Sequence, residues 1–176
     1  MKQMIALGGF GKNFLYFLRS SKNEEFEFIA IDSQESCDDA QEMAEFLGGK
    51  LEFKDGITLC VSEDLDMELF ISDMQDEVSI ACGLGGEMSE YLVKFIQQAL
   101  SKGKKIKLIT VLPFLFEEGR ERRKRAMDAL EVLKSMDIEI TFIDNQDSFL
   151  EIDYASFKTN SFFDGINEKL FLKLKI

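Results

Sequence analysis

The hydrophobic pattern divides the chain into two kinds of segment. Short apolar runs end at glycine, proline or acidic turns, and longer stretches carry apolar residues every three or four positions. Lys2 to Leu7, Phe26 to Ile31, Val78 to Cys82, Ile106 to Leu112 and Ile138 to Ile143 predict strands, and the unbroken run Ile106 to Leu112 is of the kind buried on both faces. Two shorter β-like pieces, Lys50 to Phe53 and Ile57 to Val61, flank the turn Lys54-Asp55-Gly56. Helical spacing begins at Phe14 and ends near Ser20. It returns from a cap at Ser36, Asp38 and Asp39 to Leu47, where Gly48-Gly49 stops it, and from Ser62-Glu63-Asp64 to about Gln75. Three further helices follow: Glu87 to Lys102, Glu117 to Ser135 with Ala126, Met127, Leu130 and Leu133 inward, and Tyr154 to Leu172 with Phe157, Ile166 and Leu170 inward.

Strands alternating with helices predict an α/β fold: a Rossmann-like, mostly parallel sheet with helices on both faces. Residues 1–152 are expected to form this α/β domain, with 153–176 as a core helix and the C-terminal end of the same domain. In such sheets ligands bind outside the carboxyl ends of the strands. Two glycine turns fall there, Gly8-Gly9-Phe10-Gly11-Lys12-Asn13 and Gly83-Leu84-Gly85-Gly86-Glu87. Glycines let a backbone come close to a ligand, and a helix N-terminus offers free N–H groups to an anion, so each turn suits a phosphate. Each also suits an ordinary tight turn with nothing bound. Lys12 can reach a phosphate oxygen or pair with Glu87. The loops Pro113 to Arg122 and Asp144 to Asp147 are expected at the same edge.

Composition narrows the partners. The 176 residues carry a formal charge of −12, so the phosphate backbone of a nucleic acid is repelled rather than steered in. Three widely spaced cysteines and no histidine suggest neither a disulfide framework nor a zinc site, in keeping with a reducing, cytoplasmic setting. No apolar run approaches the length of a membrane span, and the N-terminus reads as a strand rather than a signal segment. Arg120, Arg122, Arg123, Lys124 and Arg125 form a basic run in this acidic chain, a candidate face for an anionic ligand or partner.

The order of the motifs resembles the nucleotide-binding domain of the FtsZ/tubulin family of GTPases. Gly8 to Asn13 is similar to that family's first phosphate loop, and Phe28-Ile29-Ala30-Ile31-Asp32-Ser33 to its FIAINT strand and turn. Ala81 to Ser89 resembles the start of AGMGGGTGTG, Val111 to Arg122 resembles VTxPFxFEGxxR with one extra residue, and Asn145 to Ile152 resembles NDRLLEI, again with one extra. The resemblance implies GTP or GDP as the ligand, with Gly8, Gly9, Gly11, Lys12, Asn13, Gly83, Gly85 and Gly86 near phosphates and Glu118, Arg122 and Asn145 as further contacts. It also implies that Phe163 packs on guanine and that Asn167 stands where the family has the aspartate that reads it. An amide accepts one hydrogen bond there but opposes a second donor, so guanine selectivity is expected to weaken.

Departures from the pattern keep the function open. After Gly86 the chain reads Glu87, Met88 and Ser89 where the family has glycines and threonines. A carboxylate beside a triphosphate costs about 1 kcal/mol at a wet surface and more where water is excluded. In the family, hydrolysis also needs a second domain and an acidic loop after the core helix, which this sequence is expected to lack. Three readings stand: a domain binding guanine nucleotide weakly without efficient hydrolysis, linked to cell division or filaments; a nucleotide-free interaction module; and a hydrolase using its own residues, with Glu118 as base. Apolar Leu172, Leu174 and Ile176 on the last helix are expected to mark a surface for a second copy or an FtsZ-like filament partner.

Overall fold

The computed structural model describes residues 2–20, 26–33, 57–61, 67–115, 119–150 and 159–174. Strand β1 (Lys2–Leu7) lies in the middle of a six-stranded sheet because its side chains from Met4 to Leu7 are all apolar and fully buried. Its neighbours are β2 (Phe26–Ser33) and β4 (Glu77–Gly83), and the sheet is completed by β3 (Ile57–Val61), β5 (Lys105–Leu112) and β6 (Glu139–Asp144). The order is β3-β2-β1-β4-β5-β6 and every pair is parallel, with Ile5 opposite both Ile29 and Ile80 and Ile109 opposite Thr141. Ile57–Val61 is therefore a full edge strand of the parallel sheet.

Alternation along the strands sends successive side chains to opposite faces. Ile5, Leu7, Ile80 and Leu108 face α2 (Met67–Asp73), α3 (Met88–Ser101) and α4 (Gly119–Lys134), packing with Leu92, Phe95, Ile96, Leu130 and Leu133. Met4, Ala81, Ile109 and Ile143 face α1 (Gly8–Ser20) and α6 (Thr159–Leu174), packing with Phe14, Leu18, Phe162, Ile166 and Leu170. A short helix, α5 (Asn145–Leu150), follows β6 directly. This doubly wound sheet places a switch point between β1 and β4, where successive crossovers leave in opposite directions.

Three expectations are corrected. Gly8 to Asn13 is not a turn before a helix but the helix itself, because Gly8 at φ +67° turns the chain directly out of β1 and α1 starts there. The segment Asp144 to Asp147 is not a loop: Asp144 ends β6 and Asn145 begins α5. Met127 is 47% exposed, since the inner stripe of α4 runs Ala126, Leu130, Leu133 and a residue next to it is turned about 100° away. Helix 36–47 with its stop at Gly48-Gly49, the strand at 50–53, the turn at 54–56, the helix start at 62–64, and Glu117, Glu118, Tyr154 and Phe157 lie outside the described residues.

Candidate functional site

The carboxyl edge of the sheet carries a cleft of about 210 Å³ over the ends of β4, β5 and β6. Phe10 and Asn13 of α1, Arg122 of α4, Asn145 of α5, and Phe163 and Asn167 of α6 line it, with Gly83, Val111 and Pro113 along the strand ends. Five residues expected at a ligand site, Asn13, Arg122, Asn145, Phe163 and Asn167, thus meet from four helices. Each is held by its helix's inner stripe. In α6, Phe162, Ile166 and Leu170 are buried, which turns Phe163 outward, 43% exposed, with its ring edge-on to Phe162 at 5.3 Å. Phe163 is therefore a cleft residue, and Phe162 takes the core position.

Asn145 is 7% exposed, and its Oδ1 is a buried acceptor with no hydrogen-bond partner among the described residues. Leaving such an atom unsatisfied costs roughly 1–3 kcal/mol, so a donor from a ligand in the cleft is worth that much. The strut beneath it is fully made. Arg123, which the basic run did not single out, donates through Nη1 and Nη2 to Asp144 at 2.9 and 2.5 Å and through Nη1 to the Pro113 carbonyl at 2.6 Å, tying the end of β5 to the end of β6. Burial pushes the Asp144 carboxyl up. Arg123 and the N–H groups of Gln146 and Asp147 outweigh that and hold it below the usual carboxylate range. Of the basic run, then, Arg122 faces the cleft, Arg123 is structural, Arg125 donates to the Gly85 carbonyl at 3.3 Å, and Arg120 and Lys124 are exposed.

The glycines have different jobs. Gly8 lies against Met88, the first residue of α3, so the N-termini of α1 and α3 stand side by side at the switch point. Gly9 is exposed with no atom near its missing side chain, whereas a Cβ on Gly11 would sit 2.4 Å from the Ala81 carbonyl oxygen. Gly83 lies under Phe10, Gly85 at φ +81° backs onto the Arg122 carbonyl, and Gly86 has the Arg122 guanidinium 3.5 Å from where its Cβ would be. Part of the central loop is used up by the fold: Leu84 N–H donates to the Val111 carbonyl at 3.1 Å and Gly85 N–H to Ser89 Oγ at 2.6 Å.

Lys12 pairs with Asp32 at the end of β2, not with Glu87. Asp32 was not singled out from the sequence; its place at the carboxyl end of β2, within the stretch Phe28 to Ser33, is the signal that could have found it. Glu87 is exposed and, with Gly85 and Gly86, lines a separate groove of about 690 Å³ between α3 and α4. Cys82, the free thiol ending the buried part of β4, is pushed up to about 12 by burial and by the nearby Asp32 carboxylate, so it is no nucleophile at neutral pH. Among the described residues no group of three or more acidic, cysteine or histidine side chains is placed to hold a metal ion, and no helix is long and apolar enough to cross a membrane. Glu118 lies outside the described residues.

A doubly wound parallel sheet with a cleft at its carboxyl edge defines a Rossmann-like α/β architecture. Within that class the chain has the FtsZ/tubulin-like fold. It resembles an empty FtsZ dimer structure from M. jannaschii at 22% identity and TM-score 0.67, over 99% of this chain and 54% of that one. CetZ from Methanosaeta thermophila matches at 19% identity and TM-score 0.65, over 99% and 53%. The chain spans about half the length of both. A dodecameric FMN-dependent UbiX-like decarboxylase from Escherichia coli O157:H7 is more distant, with 14% identity and TM-score 0.53 over 100% of this chain and 95% of that one. No family model and no curated protein sequence matches the chain.

Proposed function

We propose that the cleft binds a guanine nucleotide, GDP or GTP, weakly and without efficient hydrolysis. The convergence of Asn13, Arg122, Asn145, Phe163 and Asn167 on one cleft, with the Asn145 acceptor left open, carries this reading. A volume of about 210 Å³ is below the roughly 300–1,000 Å³ of whole small-molecule sites, so the cleft takes the base while the rest of the ligand runs along the open edge. Phe163 offers a ring face to the base and the two asparagines offer amides to its edge. The phosphates lie toward the paired N-termini of α1 and α3, where unpaired helical N–H groups favour an anion, and Arg122 stands beside Gly86 to meet them. Weak binding follows from the Gly85 N–H being spent on Ser89 and from an amide at Asn167. Among the described residues lining the cleft there is no carboxylate, histidine or other group able to take a proton from water at neutral pH.

A nucleotide-free module that contacts an FtsZ-like filament or a second copy is favoured by one observation, the exposed Leu172 on α6. Calorimetry separates the two readings. GDP and GTP are expected to bind with Kd of roughly 10–100 μM, about −5.5 to −7 kcal/mol, ADP is expected to bind more weakly, and Asn145→Ala is expected to lower GDP affinity about tenfold. Phosphate release stays at background. Absence of heat with every nucleotide, together with a concentration-dependent rise in mass, supports the interaction module instead.

A further inference from the structure

The polar side chains of the cleft are amides and a guanidinium: Asn13, Asn145, Asn167 and Arg122. An amide carries two N–H donors beside its carbonyl oxygen and a guanidinium carries donors alone, so among the described residues the amide oxygens are the cleft's only side-chain acceptors. Two main-chain carbonyls at the rim are already engaged, that of Val111 by the Leu84 N–H at 3.1 Å and that of Pro113 by Arg123 at 2.6 Å. The cleft is therefore rich in donors and poor in acceptors. Leaving a buried donor without a partner destabilises by more than making one hydrogen bond stabilises, so the base that fits best brings few donors and several acceptors. Placement on α6 sets which groups meet its edge. Phe163 and Asn167 are four residues apart and lie on one face of the helix, one turn from each other. A base stacked on the Phe163 ring thus has the Asn167 amide, 6% exposed, at its edge, with the open Asn145 Oδ1 as a second contact.

We infer that the cleft prefers 6-oxopurine nucleotides without a 2-amino group, those of hypoxanthine and above all xanthine, over those of guanine, and that the Asn167 amide sets this preference. This rests on the nucleotide reading above. All three bases carry the N1–H that satisfies Asn145 Oδ1. They differ at position 2. Guanine has an amino group there, which meets the Asn167 NH₂ donor to donor and finds too few acceptors around it. Hypoxanthine has only a C–H, so the clash is gone. Xanthine has a carbonyl, which accepts from the Asn167 NH₂ and suits a lining rich in donors.

The test is calorimetry of XDP, IDP and GDP with the full chain as wild type and Asn167→Asp, with folding checked by circular dichroism. Wild type is expected to bind XDP about tenfold and IDP about threefold more tightly than GDP. Asn167→Asp, which puts a second acceptor where the NH₂ stands, is expected to reverse the order, with GDP about tenfold tighter than XDP. Should Asn167→Asp fail to fold, the wild-type order decides. A wild type that binds GDP as tightly as IDP or more so, or an Asn167→Asp that changes GDP and XDP alike, overturns the inference and leaves nucleotide binding standing. A wild type that binds none of the three overturns the nucleotide reading itself.

Discussion

The two glycine runs at the carboxyl edge look alike as sequence and behave differently as structure. In the first, Gly8 and Gly11 serve the backbone: one turns β1 into α1, and the other lets α1 lie so close to β1 and β4 that a single methyl would strike the Ala81 carbonyl. Only Gly9 answers to nothing in the fold. In the second, Gly85 is held by its positive φ and by α4 behind it, while Gly86 stands open beside the Arg122 guanidinium. Glycine that a fold consumes cannot be counted as glycine kept for a ligand, and each run retains one that fits the second description.

Substitutions within each run break that comparison or sharpen it. Gly11→Ala is expected to have the largest effect, since neither the carbonyl at 2.4 Å nor the helix can give way; a loss of about 3 kcal/mol, a fall in Tm of roughly 6–12 °C, should appear in a thermal melt. Gly9→Ala should do the opposite and stabilise by up to about 1 kcal/mol, the helix-propensity difference. Gly85→Ala meets both a 2.4 Å contact and a disfavoured φ and should cost about 2 kcal/mol. Gly86→Ala should leave the melt within about 0.5 kcal/mol of wild type but lower nucleotide affinity severalfold. Equal melting losses at Gly9 and Gly11 would erase the distinction.

The strut below the cleft gives an effect with a pH signature. Asp144 is depressed in the folded state, so its contribution is present above the ordinary carboxylate value and is lost as pH falls through the folded one. Asp144→Asn should therefore destabilise by about 2 kcal/mol at pH 7, the worth of a charged hydrogen bond, and the gap to wild type should close below about pH 4. A gap that persists into acid would mean that Asp144 acts through shape and not charge.

Much of the architecture was legible because buried strands and inward helix stripes leave a strong periodic trace, as at Ile106 to Leu112 and Leu92, Phe95, Ile96. The cleft residues were legible through the order of motifs along the chain. What stayed hidden depends on register across the sheet. Lys12 meets Asp32 only because β1 and β2 pair in parallel from Lys2 with Phe26 onward, and Glu87 turns to the α3–α4 groove only because α3 starts at the next residue. Met127 was misjudged by one position on a helix, about 100° of rotation that composition does not resolve.

The central claim, that the asparagine-lined cleft rather than the larger groove receives the nucleotide, is tested most directly by a nitrogen-resolved NMR titration with GDP. The side-chain amides of Asn13, Asn145 and Asn167 and the backbone N–H groups of Gly9 and Gly86 should shift and saturate together, while Lys94, Gln97 and Val132 in the groove stay put. Shifts confined to the groove, or no saturating shift at the three asparagines, would contradict the account.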